Sequence, residues 1–431
     1  MNDNKEYYPK ILLITTEDIY KKQSSVSLTI RSFLDGWPND KIVQIIAEDL
    51  NGRDTVLVDE RTFVMGHDSL YLGRFIGRNR QVETHLHNPI KGNSKKRSLK
   101  SLFKSVSSAM YKSLPYKMNK SCLDFIKAFH PDCIYTLLTP SRVNRFAYQI
   151  SKCFNIPILP HIFDNWQNVY LKQSIVEKPF GLLFYSNLKK IIKQNPITLC
   201  ISEMMCNEYK KIFPKGSFVP LMHSVSDLSL HNRKSDNLSK ILIYSGSMYL
   251  GRDESLVCLC DAIEKSKENI RENISLHIYC PREQWDEISY KFSKYEFVIF
   301  KGIVPQKVLF EELGAAYAMV FVESLEDRFL LYTRLSMSTK IPEYLSSGKP
   351  IIAIGNYNQC SINYLLNHDV AYVATREEDI KGMYNDFLLE KNKSEKLDRA
   401  RRLFILNHEK ESQKDKFHQI VMNVLESPKA Y

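Results

Sequence analysis

The sequence predicts an α/β protein built from two doubly wound parallel-sheet domains. Three observations predict it. In the C-terminal half, short apolar runs of strand length alternate six times with helix-length segments. The N-terminal half repeats the alternation less cleanly. The chain has 431 residues, beyond the roughly 250–300 at which a single core stops growing. Short, nearly continuous apolar strands separated by helices mark parallel sheets buried on both faces.

In chain order, KILLITT (10–16) reads as a buried strand, followed by a helix from Ser24 to Leu34 and a second strand at 41–46. Residues 50–122 resist assignment and read as an insertion with little parallel-sheet character. Strands are expected at 133–138, 156–163 and 199–202, with a helix over 142–154. Ser224–Ser239 is polar, rich in Ser and Asn and weakly periodic, the composition of a linker. The C-terminal strands are expected at 240–246, 275–280, 297–302, 318–323, 350–355 and 370–375, and the tail over 410–425 reads as helical. The expected division is a first domain over 1–225, a linker over 226–239 and a second domain over 240–409. The final helix, 410–431, is free to pack back on the first domain. Two such domains would open a cleft between two sets of strand C-termini, where ligands of doubly wound sheets bind.

Composition narrows the function classes. With 44% hydrophobic and 25% charged residues the chain is ordinary for a globular protein. No apolar run approaches the ~20 residues that span a bilayer. The opening MNDNKEYYPK carries acids and no apolar stretch of the secretory kind, so a cytoplasmic location is expected. Nine cysteines without paired CxxC spacing read as buried thiols in a reducing compartment, and neither they nor the 11 histidines form a metal-binding pattern. No metal is therefore expected.

The net charge is +11, and from Thr84 to Cys122 there are nine Lys or Arg and no acid. Within the basic segment 91–120, Leu99, Leu102, Phe103, Val106 and Met110 fall at helical spacing. One reading is an amphipathic helix in peripheral contact with an anionic membrane surface. The other is a solvated loop followed by an ordinary packing helix. No nucleic-acid partner is expected, because no recognised binding module is present.

The sharpest motif is SMSTKIPEYLSSGKPIIAIG, 336–355. Ser336, Ser338 and Thr339 precede a helix whose first turn carries Lys340, an arrangement suited to a pyrophosphate. Glu343 follows, where a carboxylate can accept hydrogen bonds from ribose hydroxyls. Gly348 is placed to end the helix in the left-handed conformation. From the residues alone, a second reading stands beside it, in which Ser338 is a plain helix cap and Lys340 and Glu343 are solvated. In KILIYSGSMYLGRDES, 240–255, a strand runs into Gly246 and Ser247, and Arg252 offers a planar fork suited to phosphate.

The first motif resembles the donor-site helix of GT-B glycosyltransferases, glycosyltransferase family four in particular. The resemblance implies two Rossmann-like domains and a donor site in the C-terminal one. Carried over, Glu343 binds the nucleotide ribose, and Ser338, Thr339 and Lys340 face the diphosphate. Gly246, Ser247 and Arg252 match the family's first donor-domain loop and would meet the same diphosphate. FVIFKGIVPQKVLFEELGAA, 297–316, is similar to a family segment whose loop contacts the base, which points to Val304. IPILPHIFDNWQNVY, 156–170, resembles a family strand and loop and gives His161 and Asp164 as candidate catalytic residues; a hydrogen-bonded structural pair is the other reading. Ser202 and Glu203 match a segment whose family role is mostly structural.

Two departures stand out. The first N-domain loop, a Gly-Gly pair in the family, reads here from Tyr20 to Ser27 with serines in place of glycines. A family glutamate eight residues before the ribose ligand is here Leu335, and Glu323 and Glu326 on the preceding loop are the candidates to replace it. The implied activity is transfer of a sugar from a nucleotide-diphosphate donor to a glycan or lipid-linked acceptor in cell-surface polysaccharide synthesis, with retention and without metal or other cofactor. A nucleotide-sugar epimerase and a non-catalytic binding or scaffold protein of the same fold are the alternatives.

Overall fold

The computed structural model describes residues 7–22, 24–47, 55–71, 113–139, 141–165, 178–228, 240–266 and 273–427. Of the expected linker, 229–239 lie outside the described residues, as do 91–112 of the basic segment. The chain divides into two compact units, one holding the described residues up to His223 together with Gln413 onward, the other Ser224–Ser412.

The first unit carries β1 (Ile11–Thr15), β2 (Ile42–Ile46), β3 (Val56–Asp59), β4 (Thr62–Val64), β5 (Cys133–Leu137), β6 (Ile158–Ile162), β7 (Thr198–Cys200) and β8 (Phe218–Pro220). They form one sheet in the order β3-β4-β2-β1-β5-β6-β7-β8. Its helices are α1 (Ser25–Leu34), α2 (Lys120–Phe129), α3 (Ser141–Phe154), α4 (Lys178–Gln194) and α5 (Glu203–Ile212). Every residue of β1, β2, β5 and β6 is buried, the pattern expected of strands covered on both faces. The stretch after residue 50 contributes more to the sheet than the sequence suggests. β4 pairs parallel to β2, and β3 turns back antiparallel at the edge. A strand of three residues is too short for its periodicity to show.

The second unit carries β9 (Lys240–Ser245), β10 (Ile274–Tyr279), β11 (Val298–Phe300), β12 (Ala318–Val322), β13 (Ile351–Ile354) and β14 (Tyr372–Ala374). All pairs are parallel, in the order β11-β10-β9-β12-β13-β14. Helices α6 (Arg252–Glu264), α7 (Arg282–Ile288), α8 (Gln306–Ala315), α9 (Leu330–Thr333), α10 (Lys340–Ser346), α11 (Cys360–Asn367), α12 (Ile380–Leu388) and α13 (Lys393–Asn407) connect or cover them. The core joins Leu242, Leu276, Ile278, Val320 and Ile352. Gly348 sits at φ 67°, the left-handed stop expected after α10. Gly382 lies inside α12, with nothing within 4 Å of where a Cβ would stand. Gly382→Ala is therefore expected to stabilise the protein by about 0.5–1 kcal/mol in urea unfolding.

The last helix, α14 (Lys410–Glu426), belongs from Gln413 onward to the first unit. Its Phe417 lies 4.7 Å from Phe33 and 6.0 Å from Tyr135, ring to ring. Among the described residues no helix is long and apolar enough to cross a membrane.

Candidate functional site

In the second unit's sheet the strand order reverses once, and a doubly wound sheet binds ligands at the carboxyl ends of the strands flanking that point. Those strands are β9 and β12. Their ends bring two segments distant in sequence together. After β9 the chain passes through Gly246 and Ser247 to Gly251, whose φ is 76°, and enters α6 at Arg252. After β12 it reaches Glu323. Arg252 Nε donates to Glu323 Oε2 at 3.0 Å and Nη2 donates to Oε1 at 3.1 Å, a two-pronged ion pair.

Lys340 joins from the first position of α10. A Cβ on Gly246 would stand 3.1 Å from Lys340 Cε and 3.4 Å from its Nζ, so the glycine lets the lysine lie against the loop. Burial and then the neighbouring Arg252 guanidinium hold the Lys340 pKa below its ordinary value, with Glu343 and Glu323 opposing them. Burial pushes the Glu343 carboxyl up to about 7, against the pull of Lys340. Neither side chain has a hydrogen-bond or ion-pair partner among the described residues. Ser338 and Thr339 are half-buried beside them. The Ser338 amide donates to Ser361 Oγ at 3.0 Å, and Ser338 Oγ accepts weakly from the Lys340 amide at 3.4 Å. Thr339 holds the cap position without a side-chain capping bond.

Ser247 is committed elsewhere. Its hydroxyl donates to Gln284 Oε1 at 3.2 Å, and the same oxygen accepts the Met248 amide at 2.8 Å. The loop is thus tied to α7, and Tyr244 Oη ties it to β9 by donating to the Ser247 carbonyl at 2.7 Å. Val304 lies between β11 and α8, two strands away from β9, and joins none of these contacts.

In the first unit the expectation for His161 needs correction. It was expected near the open end of its strand as a catalytic group. It is instead fully buried within the ladder, paired in register with Leu137 and Leu199. Strand alternation puts it on the same face as Leu159, against Phe33 and Tyr135. Tyr135 Oη lies 2.9 Å from its Nδ1, and burial drives its pKa down to about 3. A neutral imidazole locked in the core is a structural group, and its bonded partner is Tyr135 rather than Asp164. Asp164 is half-exposed in the turn after β6. Ser202 caps α5, accepting from the Met205 amide at 3.1 Å. The serines that replace glycines in the first loop are engaged by Glu17, to which Ser24 and Ser27 both donate, Ser27 at 2.6 Å.

No protein-family model matches the chain, and no curated protein matches it by sequence. Solved structures do match it in fold. A sucrose-phosphate synthase from Thermosynechococcus elongatus superposes with a TM-score of 0.60 at 11% identity, covering 96% of this chain and 98% of its own. An E. coli trehalose-6-phosphate protein bound with UDP-2-fluoro glucose gives 0.64 at 8% identity, covering 95% and 98%. A UDP-forming α,α-trehalose-phosphate synthase from Burkholderia vietnamiensis gives 0.58 at 10% identity, covering 96% and 100%.

The chain has the GT-B fold.

Within this GT-B chain, Leu335 is fully buried and serves the core. Of the two carboxylates considered in its place, Glu326 is exposed and pairs with Arg328 at 2.7 Å, whereas Glu323 meets Arg252. Sequence reasoning named Glu323 but not its partner, and it missed Gln284 altogether. Both connections link separate βα units and leave no local pattern. Among the described residues no cluster of three or more His, Cys, Asp or Glu is arranged around a metal-sized space.

Proposed function

We propose that the chain is a glycosyltransferase that takes a sugar from a nucleoside-diphosphate donor bound to the second unit and passes it to a glycan or lipid-linked acceptor. The observation that carries this reading is the convergence of Arg252, Lys340 and Glu343 at the sheet's reversal point, with Lys340 and Glu343 unengaged by other described residues. Arg252 and Lys340 would bind the diphosphate and stabilise the charge that develops on it as it leaves. Glu343 would accept hydrogen bonds from the ribose. The fold is shared with enzymes named as sugar-phosphate synthases, one of them UDP-forming, which supports a nucleotide-sugar substrate.

The reading extends to retention of configuration and to independence from metal, since two protein cations serve the diphosphate. Activity is then unchanged by EDTA. It places the acceptor with the first unit and the pathway in cell-surface polysaccharide synthesis. The basic 91–120 segment is suited to an anionic membrane face.

The test is release of UDP or GDP from UDP- and GDP-sugars, and of CMP from CMP-sugars as the monophosphate control, with and without glycan acceptors. Release that requires an acceptor supports the transferase. Conversion of the donor alone supports an epimerase, and binding without turnover supports a scaffold.

Glu343 also sets a pH dependence. A ribose ligand must be ionised, and its carboxyl titrates at about 7. Nucleotide affinity is expected to rise about tenfold between about pH 6 and about pH 8, and to be flat in Glu343→Gln. Folding responds in the opposite sense. A carboxyl raised above its ordinary 4.5 weakens the fold as pH climbs from about 4.5 to about 7, above which the loss is complete. Glu343→Gln should therefore exceed wild type in stability by about 1–3 kcal/mol near pH 8 and match it near pH 4.

A further inference from the structure

Glu323 stands just past β12 and is only 6% exposed. Its amide continues the ladder by donating to the Ile354 carbonyl at 2.8 Å. Two glycines make room for what it does. A Cβ on Gly355 would fall 2.9 Å from Glu323 Cβ, and one on Gly251 would fall 2.6 Å from Ser324 Oγ. Gly355 lets the β13 end close on Glu323, and Gly251 lets the α6 start close on the β12 end, so the Arg252 fork meets Glu323 along one edge. Two of the guanidinium's five N–H donors go to Glu323, and three remain.

A carboxylate beside a diphosphate site is unfavourable by charge alone, since it repels the ligand. Its presence needs a compensating role. From this geometry we propose that Glu323 is a positioning residue. It locks the Arg252 guanidinium so that the three remaining donors face the diphosphate, and it acts on the donor only through that arginine. The inference rests on the donor-site reading above and adds to it a residue that the donor motifs do not contain.

Charge and orientation make opposite predictions for Glu323→Gln. Removing a negative charge alone tightens anion binding, whereas loss of the fork loosens it. The experiment is calorimetric titration of wild type, Glu323→Gln, Arg252→Lys and the double variant with UDP, GDP and CDP. For the diphosphate that wild type binds, each single variant is expected to bind about tenfold more weakly. The double variant is expected to be no weaker than Arg252→Lys alone. Should Glu323→Gln fail to fold, Glu323→Asp carries the same test, because it keeps the charge, shortens the reach and is expected to weaken binding. Binding by Glu323→Gln as tight as wild type, or effects that simply add in the double variant, overturns the inference and leaves the donor site standing. A wild type that binds none of the three overturns the donor reading and this inference together.

Discussion

Arg252→Ala is expected to abolish nucleoside-diphosphate binding and to lower folding stability by about 2–4 kcal/mol. The two effects have separate causes. Binding fails because the guanidinium supplies the forked cation at the reversal point of the second sheet. Stability falls because Glu323 would keep its charge in a buried place without its partner, and breaking a buried ion pair on one side costs about 3–5 kcal/mol. The arginine side chain is 21% exposed against 8% for the glutamate, so water recovers part of that loss. Adding Glu323→Gln to Arg252→Ala removes the stranded charge and is expected to restore about 1–2 kcal/mol without restoring binding. Urea unfolding of the three proteins measures this. An Arg252→Ala protein as stable as wild type would mean that the pair is solvated.

Gly251→Ala is expected to lower stability by about 2–4 kcal/mol and to weaken nucleotide binding with it. At φ 76° a side chain adds about 1–2 kcal/mol of backbone strain. The new methyl group would also meet Ser324 Oγ at 2.6 Å and Phe329 Cε2 at 2.7 Å, and overpacking of that kind adds about 1–3 kcal/mol. Relief requires the start of α6 to move away from the β12 end, which carries Arg252 away from Glu323. Gly348→Ala is the control. That residue is also at positive φ but exposed and outside the site, so only the backbone share of about 1 kcal/mol applies. Equal losses at the two positions would show that the packing argument for Gly251 is wrong.

The second unit was more legible in the sequence than the first, for a physical reason. Each of its strands was matched by an apolar run, such as AMVFV over Ala318–Val322, whereas the strands missed in the first unit, β3, β4 and β8, are three or four residues long, and β3 is exposed throughout. The segment from Ser338 to Gly348 was legible because its chemistry is local. The helix, its lysine, its glutamate and its terminating glycine fall within a few turns. What escaped was long-range. Arg252 and Glu323 are 71 residues apart in sequence. Gln284 reaches Ser247 across 37 residues. His161 was misplaced because the expected strand, 156–163, is apolar on both faces, so the sequence did not show which face the histidine takes. Strand alternation turns it to the same face as Leu159, toward Phe33 and the core. Helix α4 was not anticipated; Pro179 and Gly181 near its start are residue types common in turns.

On the proposed reading, the second unit binds a nucleotide sugar through Glu343 and the two cations beside it. Thermal stability measured against UDP-, GDP- and CMP-sugars tests it most directly, because a ligand that binds only the folded state must raise the melting temperature. One nucleotide class is expected to raise the melting temperature of wild type and to leave Glu343→Ala unmoved. If no class stabilises wild type, or if Glu343→Ala responds as fully as wild type does, the claim is contradicted.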